Sequence, residues 1–320
     1  MDGELCVKGY KFNKSLHLNL QKNTVITGDD DFIGHELFNM LESFFNKQNF
    51  SDGVLDAGLA VILNGNRLSG SEFAVYRIPP VVNIGEELKI TKSSILGKML
   101  EGSSCVEDAA LLHIKSIIDE TVITKVLQSI GSSGVSISLD ELNLFSIAKL
   151  FRTYIINETG QEVLPQEWGQ FQCKSFLLHL LENQQTAKKK LLLVELPEYG
   201  MREQERAEWF DHLACSTMDN IMVYTKDMQI GRAVPDIFSY HIVQNNTIYG
   251  FDDYDVLELQ LREVMPHKET PDITKRVMRY IFNRDAYKTE DEFLKIINEF
   301  FCQNSENKQK TPVDKFRTRR

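Results

Sequence analysis

The run Leu191-Leu192-Leu193-Val194-Glu195-Leu196-Pro197-Glu198 constrains this chain more than any other segment. Four apolar residues ending abruptly in an acid are the pattern of a strand buried on both faces, as in a parallel sheet covered by helices. Thr24-Val25-Ile26-Thr27-Gly28, far upstream, reads as a second such strand, stopping at a glycine. Ile221-Met222-Val223-Tyr224-Thr225 reads as a third, and Glu203 to Cys215, between the last two, reads as a helix. Strand, helix and strand in about 35 residues make a parallel crossover unit.

Other segments fill in around this α/β frame. Tyr10-Lys11-Phe12 and Leu16 to Leu20 alternate as the two arms of a hairpin within Lys8 to Thr27. Beyond Gly28, Leu37, Met40, Leu41, Phe44 and Phe45 form one helix face, and Asp29, Asp30 or Asp31 can cap its start. Leu59 to Leu63 and Glu72 to Tyr76, on either side of Asn64-Gly65-Asn66-Arg67, predict a second hairpin. Val106 to Ile130 and Leu139 to Ile156 carry helical stripes on either side of Gly131-Ser132-Ser133-Gly134, which predicts an antiparallel pair. A third helix is expected over Phe171 to Gln184, a hairpin over Tyr240 to Phe251 about Asn245-Asn246, and further helices up to Phe301. The expected organisation is an α/β head from 1–90 and 186–255, a helical leg at 91–185, a helical C-terminal extension at 256–302 and a basic tail at 303–320.

Composition narrows the class. With 42% hydrophobic and 26% charged residues the chain is of ordinary globular type, and a formal net charge of −10 argues against a nonspecific polycation. The tail from Gln303 concentrates six basic residues against Glu306 and Asp314, a composition that favours a solvated, disordered segment. Met1 to Leu5 has neither basic nor apolar signal-peptide character, and the longest apolar runs are far too short to cross a bilayer. The cysteines at 6, 105, 173, 215 and 302 are odd in number and widely spaced, so a reduced, cytoplasmic setting is expected.

The polar ends of the strands carry the chemistry, and here it is altered. A phosphate loop reads G-x-x-x-x-G-K-[ST], with glycines admitting backbone amides to the phosphates, a lysine for the charge and a hydroxyl for Mg²⁺. In Gly28-Asp29-Asp30-Asp31-Phe32-Ile33-Gly34-His35, Ile33 takes the place of the second glycine, Gly34 that of the lysine and His35 that of the hydroxyl. Shifting the frame by one makes Gly34 the second glycine and still supplies no lysine, while three successive aspartates repel a triphosphate.

Leu193-Val194-Glu195-Leu196-Pro197 is similar to the acidic motif of ATP-binding-cassette ATPases, in which an apolar strand runs into Asp-Glu-Pro. By that resemblance Glu195 stands for the metal-binding Asp and Leu196 for the catalytic Glu, leaving no general base. Tyr224-Thr225-Lys226-Asp227 stands where that family has Thr-His-Asp, without the histidine. Leu68-Ser69-Gly70-Ser71-Glu72 imitates the cassette signature but lies in the early hairpin, and is read as a turn.

Acidic groupings compatible with a hard cation are Asp29 and Asp30 (with Asp31), Glu195 with Glu198, and Asp252 and Asp253 with Asp255 and Glu258. Helix capping and solvation explain each one locally and are the simpler reading of any single cluster, and the seven histidines show no ligand spacing. Basic residues able to meet phosphates are Lys8, Lys11, Lys14 and Lys22, then Lys188, Lys189 and Lys190, then Arg202 and Arg206, and finally Lys275, Arg276 and Arg279. Each group taken alone is an ordinary solvated face; together they suggest one DNA-facing surface.

A cassette-type head with a helical leg, but without the loop lysine or catalytic glutamate, resembles the accessory spacer-acquisition protein of type II-A CRISPR systems, in its long form. The matching residues are Gly28, Leu191 to Pro197 and Val223 to Asp227. The resemblance implies a degenerate P-loop NTPase or ABC-ATPase-like fold with no enzymatic activity. It further implies a calcium-stabilised homotetrameric ring around double-stranded DNA, acting on DNA ends beside the CRISPR integrase complex and effector nuclease. Two other classes remain open: a divergent ABC or repair-type ATPase with Glu195 and Glu198 as metal ligands, and an ATPase-derived scaffold that binds proteins.

Overall fold

The computed structural model describes residues 3–9, 15–28, 31–46, 59–101, 108–129, 147–149, 152–156, 159–163, 168–227, 238–244 and 247–251. In chain order the strands are β1 (Gly3–Lys8), β2 (Leu16–Leu20), β3 (Asn23–Gly28), β4 (Ala60–Leu63), β5 (Asn66–Arg67), β6 (Phe73–Ile78), β7 (Ile155–Ile156), β8 (Glu162–Val163), β9 (Lys189–Glu195), β10 (Asn220–Tyr224), β11 (Phe238–Gln244) and β12 (Thr247–Phe251). The helices are α1 (Asp31–Asn46), α2 (Ile84–Glu87), α3 (Ile95–Glu101), α4 (Asp108–Ile117), α5 (Thr124–Ser129), α6 (Gln170–Asn183) and α7 (Glu203–Cys215). The chain divides into two compact units, Met1–Val81 with Lys188–Arg320, and Val82–Ala187.

The first unit is built on a six-stranded sheet in the order β12-β11-β3-β10-β9-β6. β11, β3, β10, β9 and β6 run parallel to their neighbours, and only the β12 edge strand is antiparallel. Every residue of β10 and residues Leu191 to Glu195 of β9 are buried, as a parallel sheet covered on both faces requires. β10 separates β3 from β9, so the glycine-ended strand and the acid-ended strand flank a central strand that ends at Tyr224.

The second sheet, β2-β1-β4-β5, is antiparallel. Leu16, Leu18 and Leu20 turn to the core while His17 faces outward, the alternation of a half-covered sheet. These leucines join Leu5, Val7, Val61 and the α1 residues Ile33, Leu37, Phe38, Leu41 and Phe45 in one apolar cluster, which also takes Leu193, Met222 and Tyr224. Side-chain bonds tie the sheets together. The Asn19 amide donates to His241 Nε2 at 2.8 Å, the Ser239 hydroxyl to the Asn19 carbonyl at 3.2 Å and Asn220 Nδ2 to the Gln21 carbonyl at 3.0 Å.

Two sequence expectations change in this unit. The partner of Leu16–Leu20 is Gly3–Lys8 and not Tyr10 to Phe12; Leu5, Cys6 and Val7 are all buried, which favours the earlier segment. Tyr10 to Lys14 lie outside the described residues. Leu59 to Leu63 and Glu72 to Tyr76 do not form a hairpin together. β4 turns at Asn64-Gly65, both at positive φ, into the two-residue β5, and β6 leaves for the other sheet to run parallel beside β9. The reason is burial: Phe73, Val75, Tyr76 and Ile78 need cover on both faces, which the antiparallel sheet does not give. Leu68 to Glu72 forms the connecting turn, in which the Ser69 amide donates to the Glu72 carboxylate at 2.6 Å.

In the second unit, α4 and α5 are joined by a π-helical turn at Ile118–Ile123, where the Thr121 hydroxyl bonds back to the Ile117 carbonyl. Ile155 does not end a helix as the stripe from Leu139 suggests. It lies in β7, paired with Val163 of β8, and residues 152–154 are not helical. β-branched Ile155 and Ile156 suit a strand better than a helix end. α6 begins one residue earlier than expected. The leg segment 130–146, the turn Asn245-Asn246, the expected helices beyond 251 and the tail lie outside the described residues.

Candidate functional site

In open α/β sheets ligands gather at the carboxyl ends of the strands. Here those ends are Gly28 on β3, Glu195 on β9 and Tyr224 on β10, with the start of α1 beside them. Gly34, at the position of the phosphate-loop lysine, lies on α1 against the fully buried Tyr224 ring. A Cβ on Gly34 would come within 2.6 Å of two ring carbons and 2.8 Å of a third. Real Cβ atoms do not approach ring carbons so closely, and Tyr224 is held in a strand, so any side chain at 34 forces the core apart.

Glu195 is 5% exposed, and both of its carboxylate oxygens are engaged. Arg77, near the end of β6, donates from Nε at 3.1 Å and from Nη2 to Oε2, while His35 Nδ1 lies 2.7 Å from Oε1. Arg77 Nη1 reaches Asn39 Oδ1 at 2.6 Å and Glu42 Oε2 at 3.4 Å, both on α1. Arg77 Nη2 also lies 3.1 Å from His35 Nδ1. One nitrogen cannot both accept from Arg77 and donate to Glu195. The shorter contact to a buried anion places the proton on Nδ1, so His35 donates to Glu195 and the Arg77 approach is not a hydrogen bond.

Leu196, at the catalytic-glutamate position, has φ +41°, uncommon for a residue with a side chain, and its amide donates to the Tyr224 carbonyl at 2.7 Å. Its side chain packs against the apolar cluster and offers no base.

Glu198 belongs to a neighbouring network. Its Oε2 accepts from the Thr225 hydroxyl and its Oε1 from the Lys226 amide, both at 2.8 Å. Burial pushes its carboxyl above the usual 4.5; those two hydrogen bonds pull the other way, and nearby Asp227 adds to the rise. Asp227, 7% exposed at its side chain, is paired with Arg206 at 2.8 Å.

These bonds decide what the candidate cation ligands can do. The Glu195 oxygens face a guanidinium and an imidazole N–H, and the Glu198 oxygens face a hydroxyl and an amide, so this pair does not fit a shared calcium ion. Among the described residues no group of three His, Cys, Asp or Glu side chains could hold a metal. Asp29, Asp30, Asp252 and Asp253 lie outside the described residues.

Among the basic candidates, Lys8, Lys22, Lys188, Lys189 and Arg202 are exposed and Lys190 is half-buried. Lys8 ends β1 while Lys22 follows β2 near the Gly3–Leu20 pair, so they stand at opposite ends of one hairpin, about 17 Å apart along the strands. Lys22 instead shares the amino-terminal edge of the parallel sheet with Lys188 and Lys189, since Ile221 of β10 pairs with both Asn23 and Leu192. Arg206 is committed to Asp227 and is not a free phosphate contact. Lys11, Lys14, Lys275, Arg276 and Arg279 lie outside the described residues.

The residues that sequence reasoning missed are Arg77, Asn39, Glu42 and Tyr224. A lone arginine inside the apolar strand Phe73–Ile78 was a usable signal, because a charge there needs a partner.

No helix among the described residues is long and apolar enough to cross a membrane. No protein-family profile matches the chain, and no curated protein matches it. Among solved structures, that of Stu0660 of Streptococcus thermophilus matches with a TM-score of 0.63 at 13% identity, covering 93% of both chains. A nucleotide-free ATP-binding cassette from an ABC transporter matches at 0.45 and 12% identity, over 81% of this chain and 94% of that one. The SMC head domain from Thermotoga maritima matches at 0.38 and 10% identity, over 78% and 98%. The first likeness shows the fold alone; the chain has an α/β head of P-loop NTPase and ABC-ATPase-like fold, built on its largely parallel six-stranded sheet.

Proposed function

We propose that this chain is a non-catalytic protein that binds double-stranded DNA, at its ends, as a homotetrameric ring in CRISPR adaptation. The observation that carries the non-catalytic part is the state of the three positions an ATPase needs. The lysine position is closed by Tyr224, the acid at the metal position is paired with Arg77 and His35, and the base position is a leucine. The DNA-binding and ring-forming part rests on the family resemblance of the sequence and on the exposed lysines. Calcium, on this reading, takes its ligands from acids other than Glu195, with Asp29, Asp30, Asp252 and Asp253 as the candidates. The partners would be DNA ends, the integrase complex and the effector nuclease, in the cytoplasm of a bacterium.

The test is the mass of the full chain in solution with and without calcium, followed by binding to linear and covalently closed duplexes across a salt series. A tetramer that holds linear DNA, slips from no closed circle because it never loads on one, and weakens steeply with salt supports the reading. A monomer that binds neither DNA form, or ATP turnover lost on Glu195→Gln, sinks it.

One observation favours an ATPase-derived protein-binding scaffold as the second reading. Leu112, Ile117, Val122 and Val126, on α4, the π-turn and α5, are between 41% and 67% exposed, more apolar surface than one helix usually shows to water.

A further inference from the structure

We infer that Arg77 is a tethered cation standing in for the divalent ion of an ATPase site, so that this corner of the head is complete without metal or nucleotide. The inference rests on the reading that ATPase function is lost and is independent of DNA binding.

Glu195 ends its strand where a metal-binding acid would, and His35 is one residue beyond the lysine position, where a metal-binding hydroxyl would be. A carboxylate that is 7% exposed at its side chain needs a compensating charge close by. The guanidinium supplies it, with Nε and Nη2 both directed at Oε2. Its remaining nitrogen is received by Asn39 and Glu42, so oxygens from three residues on two elements surround one planar cation. A planar fork suits that arrangement better than a spherical ion, which draws its oxygens inward at 2.0–2.6 Å or so. Arg77 also cannot drift away as a bound ion can, because its backbone is fixed in β6 by pairing with Leu193.

Arg77→Ala should leave a guanidinium-shaped vacancy, and thermal melts of the full chain read it. Arg77→Ala should melt lower than wild type, and low-millimolar guanidinium should restore about half or more of the loss. The same additive should not raise the wild type or Arg77→Ala/Glu195→Gln. Wild type in excess chelator should keep the Glu195 environment unchanged, and Mn²⁺ should bind wild type and Glu195→Gln alike. The inference is overturned if Mn²⁺ binding to wild type is lost in Glu195→Gln, or if guanidinium gives Arg77→Ala no more than it gives wild type. Should Arg77→Ala not fold, Arg77→Lys keeps a charge without the fork. A wild-type melt for Arg77→Lys would equally overturn the role of the planar guanidinium.

Discussion

Tyr224 lies so close to Gly34 that a single added carbon on the glycine would sit 2.6 Å from its ring. The lysine that a phosphate loop needs is therefore absent from a position that holds no side chain at all, and the aromatic ring that excludes it belongs to the buried core.

Restoring the motif should consequently damage the protein. Gly34→Lys is expected to cost about 1–3 kcal/mol through overpacking against Tyr224. It should bind no more ATP than wild type, even when combined with Leu196→Glu. Chemical denaturation and nucleotide-binding titration check both statements.

Breaking the Arg77–Glu195 pair from either side leaves a charge with little solvent around it, as their side chains are 14% and 7% exposed. Glu195→Ala is expected to lose about 3–5 kcal/mol, while Glu195→Gln, which keeps an acceptor, should lose less. Urea unfolding of the two variants gives the comparison.

Glu198 predicts a pH dependence with a definite sign. Its folded carboxyl titrates above its ordinary value of 4.5, so between those two points the folded state binds more protons than the unfolded one. Stability from this group is thus retained below 4.5 and lost as pH rises through the folded value. Glu198→Gln should flatten that part of the stability profile, read by urea midpoints from about pH 4.5 upward. An unchanged profile would remove Glu198 as the cause.

Arg206 and the exposed lysines should separate in a DNA-binding assay. Lys22→Ala, Lys188→Ala and Lys189→Ala are each expected to lower the salt slope of binding by about 1 without changing stability. Arg206→Ala removes the 2.8 Å ion pair to the buried Asp227 side chain and should cost about 1–3 kcal/mol of stability instead. A salt slope unaltered in all three lysine variants would place the DNA elsewhere.

Much of the head was legible because its strands announce themselves chemically. Leu191 to Val194 and Ile221 to Tyr224 are continuous apolar runs, the pattern of a doubly covered strand, and α7 was bounded at Glu203 and Cys215 from its pattern alone. β6 was misassigned for the same physical reason. Its composition marks it as a strand, but the choice between pairing with nearby β4 and distant β9 is made by the burial of both its faces. Ile155 shows the converse: it falls in register with the apolar stripe from Leu139 yet lies in a two-residue strand.

The sequence by itself determined what is missing: no lysine at 34, no hydroxyl at 35, no carboxylate at 196, and these absences are visible one residue at a time. Only the tertiary structure decided what fills the gap. Arg77 and Glu195 are far apart in the chain and meet because β6 and β9 pair in parallel register, and Tyr224 reaches Gly34 because β10 lies beside β3 and under α1. Motif spacing encodes local geometry, whereas charge compensation and steric closure depend on which strands become neighbours, and that is settled by burying the sheet on both faces.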